Sequence, residues 1–341
     1  MHPPRNGAAG SRLRLVNLLD DFALGGVSRG MGIFANEVIA AVADCRVEAL
    51  APAARIAPRL DADLIVLHVP PSWHRLALLA SLRLRNPQAR IIQVEHSYTG
   101  AWEALKVPNQ ARFRLMLRLA FRLVDHVVCV SRAQADWLQS VTGLPAGRIS
   151  VIYPYSDNPG LAALPLPQPG ARLRIGAYGR FCEQKGFEDL ITAMQAGALP
   201  ACDLVIGGFG PLEAEYRRLA AGNPHIRFAG RISDVAGFLA GCDVVALPSR
   251  WEAYGQVANE AREAGRPILV SAVDGLPEQV GQAGLVVDFT DHAAVRAAIT
   301  ALTPERIAAM GKAGRAATAN CGLDRALRWA GLIRQLAPVS G

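Results

Sequence analysis

Short, almost uninterrupted apolar runs recur along the chain, separated by stretches whose apolar residues fall at three- and four-residue spacing. In the first half the runs are RLRLVNLL (12–19), RVEAL (46–50), DLIVLHV (63–69), RIIQVE (90–95), HVVCVS (126–131) and ISVIYP (149–154). The second half repeats the rhythm with RLRIGAYG (172–179), CDLVIGG (202–208), IRFAG (226–230), CDVVALPS (242–249), RPILVSA (266–272) and GLVVD (284–288). Strands this continuously apolar belong in a parallel sheet covered by helices on both faces. The pattern predicts an α/β chain of two doubly wound units, residues 1–165 and 166–341, joined at the Pro-rich LPLPQPG (164–170). Ligands of such sheets collect at the carboxyl ends of the strands, where helix N-termini turn backbone N–H groups toward anions. Two units facing each other would enclose a cleft.

Composition agrees with two cores and excludes disorder as a main theme, since 51% of the 341 residues are apolar. The six cysteines, Cys45, Cys129, Cys182, Cys202, Cys242 and Cys321, form no CxxC pair or metal-ligand spacing and read as reduced core thiols. No secretory signal follows the N-terminal MHPPRNGAAGSR, and no uncharged apolar run reaches the roughly 18 residues of a membrane span, so a cytoplasmic setting is expected. The net charge of +7 is uneven: residues 1–165 hold 18 Lys/Arg and 12 Asp/Glu, residues 166–341 hold 18 and 17. An anionic partner of the first unit is therefore expected. Nucleic acid does not fit, because the basic bias lacks interleaved aromatics and a recognisable module.

Three stretches of the second unit carry candidate chemistry. PSRWEAYGQVANEAREAGRP (248–267) follows a strand and puts Glu252 in a polar loop and Glu260 on the next helix. Val257, Glu260, Ala261 and Ala264 share one stripe of that helix, so Glu260 either has partners or sits at a cleft rim; a solvated glutamate, like neighbouring Glu263, is the plain reading. GRFCEQKGFEDL (179–190) sets Arg180 and Lys185 about a loop that enters a helix, which suits a diphosphate, although such a pair taken alone is more often solvated. IGGFGPLEAE (206–215) offers Gly207, Gly208 and Gly210 for close backbone approach to a ligand.

In order and spacing these pieces, with IRFAGRISDVAGFLAGCDVVALPS (226–249) and DGLPEQV (274–280), resemble the family 4 glycosyltransferases, retaining enzymes of the GT-B fold with two Rossmann-like domains. The resemblance covers nearly the whole chain. It implies an N-terminal acceptor-binding domain and a C-terminal nucleotide-sugar domain, with the last helix able to pack back on the first. Glu252 and Glu260 match the family's E-x7-E pair. By resemblance, Glu260 holds the ribose hydroxyls of a UDP- or GDP-sugar, and Glu252 faces the donor sugar. Arg180 and Lys185 neutralise the diphosphate, and the N–H groups of Ala253, Tyr254 and Gly255 meet sugar and phosphates. Gly25 and Gly26 are similar to the family's glycine loop near the diphosphate, and His96 stands where the family often carries a histidine near the donor sugar; a hydrogen-bonded structural histidine is the alternative. Glu95 is a further candidate, for acceptor contact. No metal or other cofactor is implied, since the cations and backbone meet the charge and no Asp-x-Asp motif lies at a strand end.

Two readings compete within the N-terminal unit. Gly30, Gly32 and Ala35 fit G-x-G-x-x-A with Glu48 as a ribose acid, a dinucleotide site and hence an NAD-dependent oxidoreductase, but the match begins inside a helix. ARFRLMLRLAFRLVDHVV (111–128) sets Arg114, Arg118 and Arg122 beside Leu115, Leu119 and Leu123. That helix suits an anionic membrane surface and a lipid-linked glycan acceptor, or is a solvated basic face over an ordinary core stripe. The expected function is retaining transfer of a hexose to a hydroxyl of a glycan or lipid-linked glycan in polysaccharide biosynthesis. A nucleotide-sugar-binding protein that has lost turnover is the competing class. Departures from the family pattern fall at Asp274, which replaces the first of two glycines before LPE, and in VIYPYSD (151–157), which lacks the usual Asn-Gly.

Overall fold

The computed structural model describes residues 12–337 apart from 21–29, 52, 156–157, 159 and 198. The first sheet contains β1 (Leu13–Leu19), β2 (Ala43–Ala49), β3 (Leu64–Leu67), β4 (Arg90–Glu95), β5 (His126–Cys129) and β6 (Ile149–Val151), all parallel, in the order β2-β1-β3-β4-β5-β6. Its crossovers include α1 (Glu37–Ala40), α2 (Arg75–Arg85), α3 (Gly100–Lys106), α4 (Gln110–Arg122) and α5 (Arg132–Thr142). β2 begins three residues before the expected run. It is an edge strand and mostly open to solvent beyond Ala43, and polar Asp44 and Arg46 conceal its start from a search for apolar runs.

The second sheet contains β7 (Leu173–Arg180), β8 (Cys202–Phe209), β9 (Ile226–Gly230), β10 (Val244–Leu247), β11 (Ile268–Val270) and β12 (Gly284–Val286), again all parallel. Its order, β12-β11-β10-β7-β8-β9, is the 6-5-4-1-2-3 arrangement of a dinucleotide-type doubly wound sheet, with its reversal between β7 and β10. α6 (Phe187–Gln195), α7 (Glu213–Leu219), α8 (Val235–Ala240), α9 (Gln256–Glu263), α10 (His292–Thr300) and α11 (Pro304–Thr318) surround it.

Both sheets are apolar on both faces, and each face has its own cluster. In the first unit, Leu78, Leu82, Leu117 and Phe121 cover one face; Phe34, Ile39, Trp329 and Ile333 cover the other. The last two come from α12 (Cys321–Leu336), so the terminal helix crosses back and completes the first core. Trp329 is 2% exposed and lies 5.0 Å from Phe34 between ring centroids, and burial of each such side chain stabilises by about 2–3 kcal/mol. Buried Arg266 holds the linker: Nε donates to the Leu239 carbonyl at 2.8 Å and Nη1 to the Pro165 carbonyl at 2.7 Å. The cysteines form no disulfide; Cys129, Cys202 and Cys242 are buried, the others half-buried. Among the described residues no helix is long and apolar enough to cross a membrane.

Candidate functional site

The crevice at the β7/β10 reversal gathers most of the second unit's candidates. Arg180 is the last residue of β7 and exposed. The chain then makes a single turn of 3-10 helix, Glu183–Lys185, and enters α6 through Gly186 at φ 59°. A Cβ on Gly186 would stand 2.2 Å from the Pro248 carbonyl oxygen, so only glycine lets this loop lie against the one after β10. The approach brings Lys185 onto Glu252 as an ion pair of side chains that are 17% and 12% exposed. Gly255, at φ 93°, opens α9, where a Cβ would meet the Leu276 side chain at 2.6 Å. Ala253 and Tyr254 are buried, and Gln279 Nε2 holds the turn by donating to the Tyr254 carbonyl at 2.6 Å.

Glu260 lies on α9, 4% exposed, and accepts from the Tyr178 hydroxyl at 2.6 Å. The reading of Glu263 as a solvated neighbour is wrong. It is 7% exposed and takes the Tyr155 hydroxyl at 3.2 Å, because α9 is covered by α11 and the hinge as well as by its own sheet. Gly207, Gly208 and Gly210 also differ from expectation. A Cβ would strike Ile232 from 207, the Gly179 carbonyl from 208 and the Phe181 backbone from 210, so these glycines serve strand packing.

On the facing wall, His96 follows β4, with Nε2 3.1 Å from Nδ1 of His68. Burial, with Arg325 as a second cause, holds its pKa down to about 4. Glu95, expected at the acceptor, points the other way. It is fully buried, with Oε1 accepting from the Ser97 and Tyr98 N–H groups at 2.8 and 3.0 Å, and burial raises its carboxyl to about 7. Strand alternation puts Glu95 with Gln93 under the sheet. Gly25 and Gly26 lie outside the described residues. Gly30, Gly32 and Ala35 belong to a 3-10 helix, Met31–Ala35, and its N-cap, while Glu48 pairs with Arg46 at 2.8 Å on the edge strand; the dinucleotide fingerprint requires a strand-to-helix turn instead.

The two walls touch through carboxylates of the loop after β11. Asp274 adopts φ 43°, and its two oxygens accept from Ala101 N at 3.1 Å in the first unit and Glu252 N at 3.0 Å in the second. The departure from glycine thus becomes a bridge between the units that also fixes the Glu252 backbone. Glu278 accepts from Arg132 N at 3.0 Å and Ala133 N at 2.7 Å in the first turn of α5, and from the Tyr153 hydroxyl at 2.8 Å. Lys106 reaches Glu183 at 2.6 Å. None of these partners was predicted, since each pair joins residues with no common sequence pattern.

The basic helix is α4. Its core stripe is Phe113, Met116, Leu117, Ala120 and Phe121, while Leu115 is 49% exposed. Arg114 makes a two-point contact with buried Glu103 at 2.7 and 3.2 Å, and Arg118 donates to the Val141 carbonyl at 3.0 Å; Arg118 and Arg122 remain exposed.

Two doubly wound sheets facing across a cleft, with paired carboxylates and cations at the second sheet's reversal, define a GT-B protein. The family described as Glycosyl transferases group 1 matches residues 172–304, and Glycosyltransferase Family 4 matches residues 44–157. The chain belongs to the group 1, family 4 glycosyltransferases. Glycogen synthase of Mycobacterium tuberculosis is 30% identical over 207 residues, 55% of this chain and 48% of that protein. D-inositol 3-phosphate glycosyltransferase of Segniliparus rotundus is 30% identical over 212 residues, 56% of this chain and 47% of that protein. The chain spans about half the length of these curated relatives. Among solved structures, sucrose-phosphate synthase from Thermosynechococcus elongatus superposes with a TM-score of 0.75 at 22% identity, over 95% of this chain and 99% of that one. Anabaena HepE in complex with UDP and glucose gives a TM-score of 0.72 at 18% identity, over 95% and 100%.

Proposed function

We propose that the chain moves a hexose from a UDP- or GDP-sugar to a hydroxyl of a glycan or lipid-linked glycan, with retention of anomeric configuration, in polysaccharide biosynthesis. The observation that carries this reading is the Lys185–Glu252 pair at the sheet reversal, with Arg180 at the strand end beside it and Glu260 on the following helix. The donor diphosphate lies against Arg180 and Lys185, and the N–H groups of Ala253 to Gly255 meet sugar and phosphate. Glu260, steadied by the Tyr178 hydroxyl, takes the ribose hydroxyls. Glu252 faces the donor sugar, and His96 approaches it from the opposite wall. As the glycosidic bond breaks, charge develops on the leaving diphosphate, where the two cations stabilise it most. They take the neutralising role, so we expect no metal or cofactor. Retention follows same-face attack by the acceptor within an oxocarbenium-like ion pair.

The acceptor enters from the first unit. There a cavity of about 510 Å³ opens beyond β3 and β4, and Arg55 and His74 in its lining, beside Arg75 paired to Asp20, suit a glycan carried on a phosphate. Exposed Arg118 and Arg122 support peripheral attachment to an anionic membrane from the cytoplasmic side.

A thermal-shift titration with UDP, GDP and their sugars tests the donor site, since a ligand at 100 times its Kd stabilises by about 2.7 kcal/mol. Failure of every nucleotide to stabilise would remove the reading. Binding without transfer or donor hydrolysis across an acceptor panel would assign a binding role, and proton NMR of the first product tests retention.

A further inference from the structure

Behind His96 stands a second histidine that the proposed reaction does not employ. His68 follows the apolar run of β3 and is 9% exposed. It stacks on His96 with ring centroids 5.4 Å apart and planes 19° apart. Its Nδ1 lies 3.1 Å from His96 Nε2, and its Nε2 lies 3.0 Å from Oδ1 of Asn17, which is fully buried on β1. Asn17, His68 and His96 therefore form one line of hydrogen bonds across three adjacent strands, beginning where the order of the first sheet reverses.

The inner end of the line sets the direction of its protons. With the Asn17 amide oxygen turned to it, which leaves the buried Nδ2 without a partner, His68 carries its proton on Nε2 and donates it. A neutral His68 then presents a lone pair at Nδ1, which His96 fills by donating from Nε2. A neutral His96 is left with its own lone pair on Nδ1. The surroundings favour neutral rings. Burial comes first for both, joined by the neighbouring ring in the case of His68 and by Arg325 for each. Arg325 reaches this place from α12, 9% exposed, and donates to the Tyr155 carbonyl at 2.6 Å. Glu95, the adjacent carboxyl, is turned under the sheet and bonded to the Ser97 and Tyr98 N–H groups.

We propose that His68, backed by Asn17, is a positioning residue for the transfer reaction: it fixes the His96 ring and its tautomer so that Nδ1 is offered to a donor-sugar hydroxyl as a hydrogen-bond acceptor. The inference rests on the reading of His96 as facing the donor sugar. It also states what the donor must carry, a hydroxyl able to donate at that point.

The direct test needs no variant. In long-range proton–nitrogen NMR spectra of the ¹⁵N-histidine-labelled wild-type chain near neutral pH, both rings should be neutral with the proton on Nε2. A proton on Nδ1 of either ring would overturn the assignment. Asn17→Ala should give His96 a mixture of tautomers and lower kcat about tenfold, the value of one hydrogen bond, while donor KM stays within about twofold. An unchanged tautomer and kcat in Asn17→Ala would sink the proposal. His96→Ala separates the two layers: an unaffected kcat would remove the catalytic setting, whereas a wrong tautomer with kcat still sensitive to His96 would remove only the positioning.

Discussion

The loop after β7 and helix α4 are two cationic regions with a claim on an anionic partner, and they hold their charges differently. In the loop, Arg180 ends the strand exposed, and Lys185 faces Glu252 inside the crevice where a diphosphate would lie. In the helix, Arg114 neutralises Glu103, which is 3% exposed and also takes the Trp137 indole N–H at 2.9 Å. In the proposed reading Lys185 exchanges part of its pairing for phosphate oxygens while Glu252 stays beside the sugar. Releasing Arg114 would leave a buried carboxylate without its charge partner, which costs about 1–3 kcal/mol. The availability of a cation thus depends on the depth of its partner: Arg114 is committed to a buried carboxylate and Lys185 to a shallower one, while Arg118 and Arg122 of the same helix as Arg114 stay exposed.

The sharpest way to break this comparison is to remove the loop cations. Lys185→Ala and Arg180→Ala should each weaken nucleoside-diphosphate binding, together by about a hundredfold or more, with Tm nearly unchanged; calorimetric titration would reveal equal affinities if the loop were not the phosphate site. Within the same crevice, Glu260→Gln should raise donor KM by about tenfold, and Glu252→Gln should lower kcat by a similar factor with less effect on the bare nucleotide. Wild-type kinetics in both would reduce the E-x7-E spacing to a packing feature.

Arg114→Ala should behave in the opposite way, losing about 1–2 kcal/mol and several degrees of Tm while nucleotide affinity stays the same. A lost affinity with unchanged Tm would reverse the contrast between the regions.

Glu95 allows a pH test of burial without a cation. Its folded pKa of about 7 stands above the ordinary 4.5, so the folded state holds a proton that the unfolded state has released. Its contribution is complete below about 4.5 and is lost as pH rises through about 7. Relative to wild type, Glu95→Gln should therefore gain stability across that window, and parallel melting curves at all pH values would count against an inward, protonated Glu95. The smallest effect belongs to the exposed end of α4. Arg118→Glu with Arg122→Glu should leave Tm within about a degree and reduce sedimentation with anionic vesicles, each basic charge contributing about 1 kcal/mol at low salt. Equal binding to neutral and anionic vesicles would remove the electrostatic contact.

Among the described residues the apolar periodicity was enough to locate the twelve strands, most sharply the fully buried inner ones, while the part-exposed edge strand β2 kept its start hidden. The positions of Lys185, Glu252 and Glu260 relative to strand ends were equally legible, because a few residues of spacing place a side chain at the mouth of a sheet. What local spacing could not reveal was the partner across the cleft. Asp274 bridges to Ala101, Glu278 caps α5, His68 meets His96 and Glu263 is covered at the hinge, over separations of 28 to 173 residues. Asn17 and His68 left one faint signal, a lone polar residue in or just after an apolar strand, which by itself does not name a partner. The reason is physical. Burial of a strand is a property of its own composition, whereas the pairing of a buried polar group depends on which distant element packing brings within about 3 Å.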